Sequence, residues 1–174
     1  MTFTTAVYAG SFDPITIGHE YIILRASKLF DRLIIAVGTN PDKKYTFNTR
    51  DRMLLIEEVI NSWKIPEKEN IEVIAFHDEY QAIWAKKQGA DYLIRGIRDE
   101  NDFRFESNMR AINDTISCGG IETIYFIPPN ELKVVSSSMV KGLVGPKDWK
   151  DVIKTYVSRP VIDALEEKYN ETNH

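Results

Sequence analysis

Four short stretches hold most of the residues in this chain that could handle phosphate. They are GSFDPITIGH at 10–19, PDKK at 41–44, RGIR at 95–98 and VVSSS at 134–138. In the first, Gly10 permits a turn, Ser11 offers a hydroxyl and an N–H, and Pro14 stiffens the path. Gly18 removes a side chain where phosphates could come close to the backbone. His19 follows at the expected start of a helix, where free N–H groups and the helix dipole favour an anion. The run matches neither the dinucleotide pattern G-x-G-x-x-G nor the P-loop. Lys43 and Lys44 bring positive charge, and Arg95 and Arg98 can each grip phosphate oxygens with two parallel N–H bonds. Ser136, Ser137 and Ser138 bunch hydroxyls and amides, and one of them is an ordinary helix cap. On residue types alone, plainer alternatives stand beside each stretch. These are a tight turn with a surface histidine, solvated lysines, and ion pairing of Arg95 or Arg98 with Asp99 or Asp102.

The elements that must position these stretches can be read from periodicity. Thr5 to Ala9 reads as a buried strand, Gly10 to Gly18 as a loop, and Glu20 to Phe30 as a helix with Tyr21, Ile22, Leu24, Ala26 and Leu29 at helical spacing. The apolar run Leu33 to Val37 suits a strand covered on both faces. After a polar loop, Asn48 or Thr49 caps a helix that directs Met53, Leu54, Ile56 and Val59 to the core. Strands follow at 71–76, 92–94 and 123–127, with helices at 80–88, 99–116 and 136–143. Gly89 serves as a C-cap. Pro160 suits the first turn of a last helix through about Tyr169, with a frayed tail at 170–174. This alternation predicts an α/β chain: one doubly wound, Rossmann-like domain over 1–174, with a five-stranded, mostly parallel sheet and C-terminal helices. Ligands of such sheets bind beyond the carboxyl ends of the strands, where the four stretches fall.

Bulk properties narrow the class. The chain has 174 residues, 43% hydrophobic and 28% charged, which fits an ordinary globular domain. A net charge of −4 argues against a general nucleic-acid binder. One cysteine, Cys118, excludes an internal disulfide and suggests a cytoplasmic setting; it reads as a small buried residue. The first ten residues lack the features of a secretory leader, and no apolar run is long enough to span a membrane. His77 and His174 have no partner in sequence, and a structural zinc site is not expected. Glu106 reads as part of a solvated helix face with Glu100, Asp102 and Asp114.

Together these stretches resemble the T/HxGH loop and companion motifs of the nucleotidyltransferase superfamily. Here the loop reads TIGH, with Thr16 where histidine is commoner. Within that superfamily the chain is similar to the bacterial type of phosphopantetheine adenylyltransferase over nearly its whole length. GSFDPITIGH, PDKK, LIRGIR, DF followed by Glu106, and VSSSMVK stand in matching order and spacing. The resemblance implies transfer of the adenylyl group of ATP to 4'-phosphopantetheine, giving dephospho-coenzyme A and pyrophosphate, with Mg²⁺ as cofactor and a homohexamer as the assembly. It implies that His19 stabilises the transition state, and that Lys43 and Arg98 also belong to the catalytic set. It implies ATP contacts from Ser11, Phe12, Gly18, His19, Gly96, Ile97, Arg98, Glu106 and the segment Leu132, Lys133, Val134, Val135, Ser136, Ser137, Ser138. Contacts to 4'-phosphopantetheine fall to Ser11, Lys43, Gln81 and Arg95; no protein metal ligands, nucleic acid or membrane are implied. Leu132 departs from the pattern, standing where an aromatic is often found. A nucleotidyltransferase with another acceptor, a nucleotide-binding regulator without turnover, and a scaffold are the competing classes.

Overall fold

The computed structural model of the chain describes residues 3–40, 43–116 and 120–172. Five strands form one parallel sheet: β1 (Thr5–Gly10), β2 (Arg32–Gly38), β3 (Ile71–Phe76), β4 (Tyr92–Gly96) and β5 (Glu122–Phe126). Their order is β3-β2-β1-β4-β5. The chain builds outward from β1 to β3, then crosses back to lay β4 on the other side of β1. That reversal opens a crevice at the carboxyl ends of β1 and β4.

Among the described residues, seven α-helices connect and cover the sheet: α1 (Ile17–Ala26), α2 (Thr49–Ser62), α3 (Gln81–Lys87), α4 (Glu100–Ile116), α5 (Ser137–Gly142), α6 (Trp149–Ile153) and α7 (Arg159–Thr172). Alternation along β1 and β2 divides the core. Ala6, Tyr8, Leu33, Ile35 and Val37 pack with α1, α2 and the C-terminal helices. Val7, Ala9, Ile34 and Ala36 face the other way, onto Ala82, Trp84 and Ala85 of α3. Both faces are dry, which is why the strands read as unbroken apolar runs.

Several element boundaries differ from the sequence expectation. The first helix begins at Ile17, so Gly18 lies inside its first turn rather than in a loop, and His19 sits in that turn as expected. Thr16 adopts the extended cap conformation, and its carbonyl accepts the Glu20 N–H at 2.9 Å. That helix ends at Ala26, leaving Leu29 64% exposed. On α2 the core stripe is Arg52, Leu55, Ile56, Val59 and Ile60; Leu54 faces out and Leu55 takes the place expected of it. The stripe follows i, i+3, i+4, i+7 spacing once a charged residue is admitted to it. Strand β4 runs on through Arg95 and Gly96, and β5 ends at Phe126 with Ile127 exposed. Residues 170–172 are helical, not frayed, and α6 is an additional element. Trp149 and Tyr156 lie in or against the core, whereas Val152 is exposed. Cys118, Asp42 and His174 lie outside the described residues.

Candidate active site

A cleft of about 320 Å³ occupies the crevice at the switch point. Its floor is Tyr8 and Ala9 of β1 with Arg95 and Gly96 of β4. One wall is the first loop and α1, with Ser11, Phe12, Thr16, Gly18 and His19. The other is Arg98, Asp102 and Glu106, and the far rim is Leu132, Val135 and Ser136 to Ser138. Most of the residues expected from sequence therefore converge on one space. Ile97 is buried beneath it, donating its N–H to the Phe126 carbonyl at 2.9 Å, and Val134 is turned to solvent. Lys133, Gln81 and Lys43 do not line it. Lys43 is exposed on the loop after β2, and its N–H bonds the Asn40 carbonyl at 3.0 Å.

His19 is fixed with its Nε2 edge available. Its Nδ1 accepts the Thr16 backbone N–H at 3.1 Å. A backbone amide can only donate, so Nδ1 carries no proton and Nε2 does. The ring packs edge-on against Phe12, with centroids 5.1 Å apart, and Phe12 packs against Tyr8 at 5.4 Å. Burial, with a smaller push from Arg98, lowers the His19 pKa to about 4. At neutral pH the group is thus an uncharged donor, not a cation. A Cβ at Gly18 would sit in ordinary contact with the Thr16 hydroxyl at 3.6 Å and the Leu132 and Val135 carbonyls at 3.9 Å, so Gly18 faces the far rim of the cleft.

The arginines are held by α4. Arg98 bonds Asp102 through Nε at 2.9 Å and Nη2 at 3.2 Å, realising the ion pair considered from sequence. Arg95 meets Glu106 at 3.0 Å, the Ala9 carbonyl at 3.2 Å and the Gln81 Oε1. Gln81 is therefore a neighbour of Arg95 rather than part of the cleft lining. Burial pushes the Glu106 carboxyl up against the pull of Arg95. Burial also works to raise Asp102, but the bonds from Arg98 outweigh it and leave its carboxyl below the usual range. Burial raises the Tyr8 hydroxyl despite Arg95 and Arg98, so it stays protonated.

The serines play distinct parts. Ser136 caps α5, accepting the Met139 N–H at 3.1 Å. Ser137 donates to the Pro14 carbonyl at 2.7 Å and so ties α5 to the first loop. Sequence reasoning passed over Asp13, which is 3% exposed. Asp13 accepts the N–H groups of Thr46 and Phe47 at 3.0 and 2.9 Å and pairs with Lys141 at 2.8 Å. An acid inside an otherwise apolar tight loop was the signal available. Tyr8 and Arg52 were also missed; Tyr8 had only its place two residues before Gly10.

The arrangement can bind a polyanion, present a neutral N–H donor to it, and support it with arginine and serine groups. Its two carboxylates, Asp102 and Glu106, are each paired with an arginine, and the Thr16 hydroxyl beside His19 Nδ1, 3.0 Å away, belongs to the helix cap. Among the described residues, no group of three or more His, Cys, Asp or Glu could hold a metal ion.

Comparison with known proteins bears on the family and the fold. The cytidylyltransferase-like family profile matches residues 7–143. The chain is 43% identical over 166 residues to the phosphopantetheine adenylyltransferase of Chromobacterium violaceum, covering 95% of this chain and 98% of that protein. It is 38% identical over 173 residues to the one from Streptococcus uberis, covering 99% and 98%. The fold is also that of Plasmodium falciparum nicotinic acid mononucleotide adenylyltransferase complexed with NaAD, at a TM-score of 0.75, 20% identity and 97% coverage of each chain.

Proposed function

The chain belongs to the phosphopantetheine adenylyltransferases, within the cytidylyltransferase-like nucleotidyltransferases, and from that membership we infer that it transfers the adenylyl group of ATP to 4'-phosphopantetheine. The products are dephospho-coenzyme A and pyrophosphate. The observation that carries the site assignment is the convergence of His19, Arg95, Arg98 and the serine-led α5 on one cleft.

The acceptor is a phosphate monoester with a second pKa of about 6, so it is already a nucleophile at neutral pH. The reaction therefore requires no general base. The task is to bring two polyanions together and hold charge at the α-phosphorus during in-line attack. In this reading His19 donates Nε2–H to an α-phosphate oxygen, and its low pKa keeps that donor neutral and fixed in orientation. Arg98 and the N-terminal turn of α5 hold the β- and γ-phosphates. Arg95 and Lys43 aim the acceptor phosphate, with Lys43 reaching in from its exposed loop. Mg²⁺ would enter with ATP, held by the nucleotide rather than by a protein carboxylate cage, and would neutralise phosphate charge. That role suits a cleft whose two carboxylates, Asp102 and Glu106, are engaged by arginines.

The same reading makes the chain one cytoplasmic nucleotidyltransferase domain acting as a homohexamer. Among the described residues no helix is long and apolar enough to cross a membrane. Exposed Phe103, Phe105 and Ile112 on α4 support self-association. Sedimentation of the purified chain tests the hexamer.

The deciding experiment is pyrophosphate release from Mg-ATP with 4'-phosphopantetheine, nicotinamide mononucleotide, glycerol 3-phosphate or no acceptor. Release with 4'-phosphopantetheine alone is expected. Release with a different acceptor would keep the nucleotide site and overturn the substrate.

A further inference from the structure

The core stripe of α2 contains a cation. Arg52 is 1% exposed and is among the largest fully buried side chains of the molecule. A buried guanidinium is costly unless its donors are met. Here Nη1 donates to the Ser11 carbonyl at 2.5 Å and to the Gly38 carbonyl at 2.9 Å. Nη2 donates to the Thr49 hydroxyl at 3.1 Å and the Thr39 hydroxyl at 3.4 Å. The planar group also stacks over the Tyr45 ring, 4.3 Å from its centroid. Nε finds no partner among the described residues.

These contacts join two loops that the sheet leaves separate. Ser11 follows β1 and lines the cleft. Gly38 ends β2, and the described residues between it and α2, 39–40 and 43–48, include Lys43. One planar fork spans both strand ends, which a hydrophobic side chain of equal volume could not do. The far end of the second loop is tied down as well, since Asp13 accepts the amides of Thr46 and Phe47. The Tyr45 hydroxyl accepts the Asn40 N–H at 2.7 Å, closing the loop on itself.

We propose that Arg52 is a positioning residue that clamps the 39–47 loop to the first loop and thereby sets where the acceptor phosphate lies relative to ATP. It touches neither substrate. It acts through the carbonyl of Ser11 on one side and the Tyr45 ring on the other. The proposal rests on the functional reading above, which gives Lys43 the acceptor phosphate.

The test is steady-state pyrophosphate release with ATP and 4'-phosphopantetheine varied separately. It compares wild type, Arg52→Lys and Tyr45→Leu, with thermal unfolding run alongside. Arg52→Lys keeps the charge but loses the fork and the stack. Tyr45→Leu changes a half-buried loop residue and leaves the core intact, so it remains informative if Arg52→Lys fails to fold. The clamp predicts that Tyr45→Leu raises the KM for 4'-phosphopantetheine about tenfold and leaves the ATP KM within about twofold. Arg52→Lys raises the same KM and also lowers kcat, because the two phosphates are no longer in line. A fall in kcat with both KM values unchanged would mean only less folded enzyme, and would overturn the clamp while leaving the reaction in place. Wild type without turnover on 4'-phosphopantetheine would overturn the functional reading and the clamp together.

Discussion

The wall of the cleft built from β1, the first loop and α1 is fastened by buried contacts, whereas on the wall built from β4 and α4 the Arg95–Glu106 pair is mostly buried and the Arg98–Asp102 pair is partly open to water. On the first wall, Asp13 is 3% exposed and Arg52 1%, and both hold backbone groups. On the second, Arg98 and Asp102 have side chains 42% and 25% exposed. Buried charges with backbone partners are set before any ligand arrives, and nothing a substrate brings replaces them. An arginine paired with a half-exposed carboxylate can exchange that partner for phosphate at small cost. Under the proposed function, the first wall would supply fixed geometry for the reacting phosphorus, and Arg98 on the second would supply exchangeable charge for the leaving group.

The largest expected effect falls on the fixed wall. His19→Ala should lower kcat by about 10²–10³ and change ATP affinity much less, as for loss of one oriented transition-state donor. Steady-state kinetics with direct ATP-binding measurements check this, and a kcat within about twofold of wild type would remove His19 from that role. Asp13→Asn, on the same wall, should cost about 2 kcal/mol of stability in denaturant unfolding, because it strands Lys141 and weakens two amide bonds. Lys43→Ala should raise the KM for 4'-phosphopantetheine about tenfold with little change for ATP. Asp102→Asn should shift stability by less than about 1 kcal/mol. If Asp102→Asn proved as damaging as Asp13→Asn, the contrast between the walls would collapse.

A pH experiment sharpens the same contrast. His19 titrates near 4 in the folded chain against an ordinary value of 6.5. As pH falls below 6.5 the unfolded chain takes up this proton first. The stability that depends on a neutral His19 is therefore complete above pH 6.5 and is lost as pH drops toward 4. Nitrogen-resolved NMR of the imidazole should show a midpoint near 4 and the proton on Nε2 at neutral pH. A midpoint near 6.5 would place His19 in water and the first wall would no longer be preorganised.

Much of this was legible before folding. The strand alternation, the five-stranded sheet and the stretches carrying His19, Arg95, Arg98 and the serines all follow from local periodicity and residue type. The errors have local causes too. Leu54 and Leu55 are adjacent and equally apolar, so only the helix phase separates them, and that phase was misjudged because Arg52 did not look like a core residue. Gly18 looked like loop because glycine usually ends helices, yet here it sits in a first turn that begins at Ile17.

The sequence by itself determined which loops carry residues suited to phosphate, because such residue types stand at short spacing and are written consecutively. The tertiary structure alone decided that β1 and β4 lie side by side and that Asp13 reaches across to Thr46, Phe47 and Lys141. It decided as well that Arg52 is buried between Ser11 and Gly38. Those partners are far apart in the chain. What joins them is the order of strands in the sheet and the drying of its two faces, which no local pattern encodes.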